Sequence, residues 1–456
     1  MTRLVKVIKL SYPKSARPKV GFIPLTNTFF AFELAEDARK RALDALGRLD
    51  VELVVPADKA ISSVQEALTA CKKCIEADVD LALVFFCSWS NEEIPNTVAM
   101  ELPNYPMVCW SIPSPPELIS PCGLITAASN FKHLGKKFSY ILGGIDDEKV
   151  MSRIYKLSKA ASVAKKLKRA RIGVVGYNCP GMIDATFNEI EMRSLGPEVV
   201  HLSLADLIDR SAAIDERKAL QDAEQLIAKV GKVVEPTKRE IADAVKVYYA
   251  LRGMAEAHRL DAIAVRCWPE LREQRKMLPC YGLSRLSDEG IMGVDESDVT
   301  GGITQLIGYW LTGVPSFNGD LSAIFPEENA IQLWHCGAAS TKLASGWQDI
   351  HIRDHAQVGV SVEVEFPLKP GRVTLAKLTR PIAGKYSMLI ASGNVLQVSQ
   401  RTRGNPANIR LDIPVEKFVD AIINEGVEHH IIVVYGDIKE ELMILCDMIN
   451  IKPIIP

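Results

Sequence analysis

Little in these 456 residues is one-sided. Basic and acidic side chains nearly cancel, 54 Lys and Arg against 56 Asp and Glu, for a net charge of −2. Nucleic acid and acidic membranes select for a basic excess, so neither is expected as a partner. No apolar run reaches the length of a membrane span, and the opening MTRLVKVIKLSYPKSARP is too short and too interrupted for a signal peptide, which leaves the cytoplasm as the expected compartment. Internal repeats at solenoid periods, low-complexity tracts and self-sufficient metal motifs such as HExxH are all missing. The ten cysteines are scattered, most of them in apolar stretches such as FFCSW, MVCWS and AVRCW, where free thiols in a reducing compartment are expected. Cys71 and Cys74 form a CxxC, yet they lie inside the helical pattern VQEALTACKKCIEADV with no second pair nearby. Two helix positions explain them better than zinc or redox chemistry.

What is present points to several full-sized cores, since the length is about three times that of a typical domain. From Lys19, apolar strands (VGFIPL, VELVVP, LALVFF, YPMVCWSI, FSYILGG) alternate with amphipathic helical segments, the pattern of a parallel sheet covered on both faces. The pattern restarts at IGVVGY after the basic KLKRAR. Gly173, Gly176 and Gly181 there do not have GxGxxG spacing, so the dinucleotide fingerprint is absent. After about residue 340, VSVEVEFPLKPGRVTLAKLTRPIAGKYSMLIASGN alternates with period two, then VEKFVDAIINEG, HHIIVVYG and IKEELMILCDMI return to helix, strand, helix. The expected fold is α/β: two Rossmann-like, doubly wound domains (residues 1–168 and 169–340), then a β-rich sandwich or barrel domain with a returning α/β tail (341–456).

Chemistry concentrates between Arg266 and Gly337. Glu270, Asp288, Glu289, Asp295, Glu296, Asp298, Asp320 and His335 stand there among short apolar runs, and between Asp288 and Gly337 there is no Lys or Arg. Acids of one sign beside apolar segments need a compensating cation, and a divalent metal is the economical one. In GVDESDVTGGIT, helix capping and dipole complementarity account for one or two acids but hardly for the whole group. In VPSFNGDLS, Asp320 follows an apolar strand, where α/β sheets bind ligands; a turn-forming Asp is the plain alternative. His335 ends the strand IQLWHCG, and His429 and His430 open HHIIVVYG. Neighbouring strand residues face opposite ways, so only one of His429 and His430 is expected at a shared metal. Carboxylate with imidazole suits Mn2+ or another hard or borderline divalent ion.

These stretches resemble the ketol isomerases of L-fucose and L-arabinose. The likeness lies in the order of parts, in GVDESDVTGGIT, in the run from VPSFNGD to PEENAIQLWHCG, and in the GxxHH stretch from Gly426 to His430. It implies a metal-dependent aldose–ketose isomerase in which Glu296 and Asp320 both ligate and relay protons and His429 completes the metal site. The arabinose branch adds a second histidine, matching His335. FFCSWSNEE is similar to a sugar-contacting segment of the fucose branch, which makes Trp89 a candidate stacking residue, a buried Trp at the sheet edge being the alternative. The resemblance further implies a homo-oligomer, hexamer or trimer, with a neighbour's first domain completing the site.

Moving a proton between C1 and C2 through an ene-diolate asks for a carboxylate base, a group serving the hydroxyls and a cation for the developing charge. Two other readings fit the same fold. One is a non-catalytic sugar-binding protein, which would have no need of Glu296, Asp320 and His429 together. The other is a different metal-assisted enzyme on a sugar phosphate or acid, with Arg380, Arg401 and Arg403 as anion contacts.

Overall fold

The computed structural model describes residues 17–29, 31–400 and 402–456. Two compact units emerge, one ending at Lys166 and one running from Leu167 to Pro456.

The first unit is a five-stranded parallel sheet of β1 (Lys19–Leu25), β2 (Glu52–Val54), β3 (Leu81–Phe86), β4 (Met107–Ser111) and β5 (Ser139–Leu142), in the order β2-β1-β3-β4-β5. Every residue of LALVFF in β3 is buried, as expected of a central strand with helices on both faces. Ser63 starts the helix Val64–Glu76 with a capping box to Glu66. Cys71 and Cys74 are buried free thiols on that helix. Strand order reverses between β1 and β3, which is the place where open α/β sheets form a crevice at their carboxyl ends.

The second unit opens with β6 (Arg171–Val175), β7 (Glu198–Leu202), β8 (Lys232–Val233), β9 (Ala262–Val265) and β10 (Met292–Val294). Of these, β10-β9-β6-β7 form a parallel sheet, and β8 joins β13 (His351–Asp354) and β14 (Val362–Glu365) in a small separate one. Between Leu204 and His258 the chain forms three helices. Ser203, Asp215 and Thr237 each accept a backbone N–H from the following turn and so restart the chain as a helix.

The remaining strands are β11 (Phe317–Phe325), β12 (Ala330–His335), β15 (Gly371–Ile382), β16 (Lys385–Val395), β17 (Asn405–Leu411), β18 (His430–Tyr435) and β19 (Lys452–Ile454). They make a seven-stranded sheet in the order β15-β18-β11-β12-β17-β16-β19, and an additional β15–β16 pairing closes all but β19 into a ring of antiparallel neighbours. This is a barrel. Strands β11 and β12, from the stretch read as the second α/β domain, thus share one sheet and one core with the β-rich stretch. The tail strand β18 lies between β15 and β11 inside the barrel instead of returning to a parallel sheet. Among the described residues, no helix is long and apolar enough to cross a membrane.

Candidate active site

Barrel register brings the site together. In β18, His430 pairs directly opposite Asp320 of β11, and Asp320 pairs opposite Trp334 of β12. Opposed residues on antiparallel strands are the closest cross-strand neighbours, so three strands deliver three side chains to one patch. Asp320 is therefore within an antiparallel strand, beside a register shift at Leu321/Ala323, and not at the carboxyl end of a parallel one as the sequence suggested.

The acids arrive from above on the segment after β10. Glu296 and Ser297 have φ of 59° and 61°, left-handed backbone that non-glycine residues adopt at a cost and that clusters at functional sites. Asp298 then caps the helix Val299–Thr312, its Oδ1 accepting the Gly301 N–H at 2.8 Å and the Thr300 hydroxyl at 3.0 Å. Its Oδ2 accepts from Lys377 Nζ at 2.6 Å and lies 2.9 Å from His430 Nδ1. The capping explanation is correct for Asp298, but its second oxygen serves the site.

Around this the distances are short. Nε2 of His430 lies 3.2 Å from Glu296 Oε2 and 3.4 Å from Asp320 Oδ1, and Nε2 of His429 lies 3.7 Å from the same Asp320 oxygen. Nδ1 of His429 is 2.5 Å from Asp184 Oδ2. Glu296, His429 and His430 each offer a ligand atom within 4.8 Å of the others. The expectation that adjacent histidines must diverge fails for a local reason. His430 is the first residue of β18 and His429 precedes it, outside the pleat that enforces alternation. Both rings are thus backed by a carboxylate at Nδ1 and turn Nε2 toward Asp320.

His335 stands at the other side of the group. Its Nδ1 is 3.4 Å from Asp295 Oδ2 and 3.2 Å from Cys336 Sγ, its Nε2 is buried without a hydrogen-bond partner among the described residues, and its ring centroid is 5.5 Å from that of His430. It groups with Asp295 and Cys336, and not with Glu296, His429 and His430. Another soft set, Cys280, Cys336 and His355, adjoins it. Glu296, Asp320, Trp334 and His335 line one cleft with Trp268 and Arg272.

Protonation follows from these contacts. Burial alone would lower His430, but Asp298 and Glu296 outweigh it and push the ring up to about 10. Burial works against an ionised Asp298, yet Lys377 and His430 hold it well below the usual carboxylate range. Glu296 is likewise lowered, burial being overcome by His430 and His335. Burial lifts Asp295 to about 6, with Glu296 adding to it against His335. The missing positive charge in the acidic stretch is thus partly internal: Lys377, fully buried, comes from β15.

Trp89 belongs to the first unit. It is half-buried in the loop after β3, at the β1/β3 crevice; its N–H donates to Leu118 O at 2.9 Å, and its carbonyl accepts from the Asn27 amide and the Ser88 hydroxyl.

Two family profiles match the chain. "Fucose/sulfoquinovose isomerase, N-terminal domain" covers residues 21–168, and "L-fucose isomerase, C-terminal domain" covers residues 333–455. The chain belongs to the fucose and sulfoquinovose isomerase family. Membership makes it an aldose–ketose isomerase. Relatives include the sulfoquinovose isomerase of Priestia megaterium, 25% identical over 440 residues, and that of Clostridium sp., 24% identical over 444; each alignment covers 95% of this chain and 98% of the relative. A third, from Alkalicoccus urumqiensis, is 27% identical over 363 residues, 77% of this chain and 81% of the relative.

Within this isomerase Asp184 and Lys377 were not distinguished in the sequence, while His430, Asp295 and Asp298 were named there without a settled role. Lys377 had a readable signal, because in VTLAKLT it shares strand parity with Val373 and Leu375, both fully buried. Two of the three arginines considered for anions are committed elsewhere. Arg380 is held by Glu428, Ile183 O and Thr186, Arg403 by Glu365 and Asp354, and Arg401 lies outside the described residues.

Proposed function

We propose that this isomerase is divalent-metal-dependent and interconverts a sulfonated hexose of the sulfoquinovose type with its ketose, by an ene-diol proton transfer between C1 and C2. The relatives' names, over nearly the whole chain, favour that substrate over the free L-fucose or L-arabinose the resemblance implied.

The donor set carries the metal reading. Among the described residues, Nε2 of His430 is buried and has no hydrogen-bond partner, although two carboxylates stand within 3.4 Å of it, while its Nδ1 is tied to Asp298. A histidine whose far nitrogen is fixed by a carboxylate and whose near nitrogen is left for an ion is the usual anatomy of a metal ligand. Glu296, Asp320, His430 and His429 would hold the ion, and oxygen with imidazole donors suits Mn2+. When bound, such an ion offsets the negative charge that develops on the sugar's O1 and O2.

The chain's own groups handle the protons. Glu296, kept ionised by His430 and His335 against burial, accepts the carbon-bound proton and returns it to the neighbouring carbon. Asp320 holds the hydroxyl proton. His335, steadied by Asp295 and facing the same cleft, serves the other oxygen. A homo-oligomer and a sugar-stacking role for Trp89 remain part of this proposal; sedimentation and the KM of Trp89→Ala test them.

The deciding experiment incubates the Mn2+-loaded protein in deuterated water with sulfoquinovose, L-fucose and L-arabinose and follows C1 and C2 by NMR. Deuterium at either carbon of sulfoquinovose, with appearance of the ketose, is the expected result. Absence of label and ketose in all three sugars sinks the proposal.

A further inference from the structure

The cleft that holds the reacting acids carries one cationic side chain. Among its lining residues Arg272 is the only Lys or Arg, and it shares the wall with Trp268, His355 and Gln357. We propose that Arg272, backed by Trp268 and joined by His355 and Gln357, is a subsite for a tetrahedral anionic group on the sugar carbon remote from the reacting end, a sulfonate in preference to a phosphate. This rests on the sulfoquinovose isomerase reading and adds to it the residues that would hold the sulfonate.

Four observations converge on it. The guanidinium carbon of Arg272 lies 5.3 Å from the centroid of the Trp268 ring, a stacking contact that pre-orients a planar cation and leaves less freedom to lose when an anion docks. The backbone is anchored too: Arg272 sits in the π-helical turn Glu270–Gln274, and its N–H donates to Cys267 O at 3.2 Å. Among the described residues its ion-pair partner is the neighbouring Glu273, at 3.1 Å, whose side chain is 57% exposed. A pair with one partner this exposed contributes little and yields readily to an incoming anion.

The fourth observation fixes the partner's chemistry. His355 Nδ1 accepts the Gln357 N–H at 3.2 Å, so the proton of the neutral ring is on Nε2 and the ring is a donor. Burial, with His335 and Arg272 adding to it, keeps that ring neutral, its pKa pushed down to about 4. One fixed positive charge with neutral donors matches a group carrying a single negative charge. A sulfonate has one at every working pH, whereas a phosphate monoester approaches two near neutrality. Bidentate recognition by the guanidinium suits either group's oxygens, so charge makes the distinction.

The test compares wild type, Arg272→Gln and Arg272→Lys, all Mn2+-loaded, on sulfoquinovose, on 6-deoxyglucose, which replaces the sulfonate by hydrogen, and on glucose 6-phosphate. Wild type is expected to have its highest kcat/KM on sulfoquinovose. In Arg272→Gln the ratio of kcat/KM for sulfoquinovose over 6-deoxyglucose should fall at least tenfold, mainly through KM, and Arg272→Lys should recover part of it. A ratio within twofold of wild type in Arg272→Gln overturns the subsite, as does a wild-type enzyme with no preference for the sulfonated sugar; preference for the phosphate overturns the choice of sulfonate. Should wild type convert none of these sugars, the isomerase reading fails separately, and tryptophan-fluorescence titration with sulfoquinovose still decides. Equal affinity of Arg272→Gln and wild type then overturns the subsite, and at least tenfold weaker binding by Arg272→Gln supports it.

Discussion

The Nδ1 of His430 lies 2.9 Å from Oδ2 of Asp298, and both groups are almost fully buried. Because the same carboxylate also caps a helix and receives Lys377, its position is set by three elements at once. His430 inherits that precision, and so does whatever its Nε2 binds.

Glu296→Gln keeps the size of the side chain but removes the base. At least a hundredfold loss of kcat is expected, in line with general-base contributions, with the melting temperature little changed. Steady-state kinetics beside a thermal melt checks it, and near-wild-type turnover would refute the role.

Metal affinity should rise with pH across the neutral range. With its pKa pushed up to about 10, His430 holds a proton that an incoming ion must displace, and raising the pH makes that displacement easier. In the metal-free protein the folded pKa exceeds the unfolded value of about 6.5, so the stabilisation from charged His430 is complete below that value and is lost as pH climbs through the folded one. Calorimetric Mn2+ titrations at several pH values, with denaturant melts of chelated protein, test both signs.

Asp184 backs His429 as Asp298 backs His430. Asp184→Asn should weaken Mn2+ binding by about ten- to a hundredfold, the usual cost of losing an outer-shell carboxylate. Unchanged affinity by calorimetry would remove His429 from the ligand set.

Lys377→Met leaves Asp298 buried with one fewer cation. Roughly 3 to 5 kcal/mol of destabilisation is expected from breaking a buried pair on one side only. The double variant Lys377→Met/Asp298→Asn should cost less than the sum of the singles, which urea titration can read.

Gly301→Ala in an ordinary helix would add up to about 1 kcal/mol of stability. Here the new Cβ would stand 2.2 Å from Asp298 Oδ2, so the substitution should lower both stability and Mn2+ affinity. A stabilised, fully metal-binding variant would contradict the placement of Asp298.

Much of the architecture could be read from residue order, because it depends on local pattern. Continuous apolar runs such as LALVFF and the period-two stretch around VTLAKLT produced the parallel and antiparallel strands expected of them. Glu296, Asp320, His429 and His335 were recognisable as acids and imidazoles at the ends of apolar segments. Pairing was not recognisable. That β11, β12 and β18 are neighbours is a matter of long-range register, and this makes His430 face Asp320 and draws Lys377 into reach of Asp298. The alternation rule wrongly excluded one of His429 and His430, because strand start points are uncertain by a residue or two.

Barrel closure has a practical corollary for anyone dividing the gene. A fragment ending near residue 340 would keep β11 and β12 but lose the strands on either side of them, β18 and β17. Its unpaired edges would invite intermolecular association, so insoluble expression is the foreseeable fate of such a truncation, and the catalytic half cannot be isolated by cutting there.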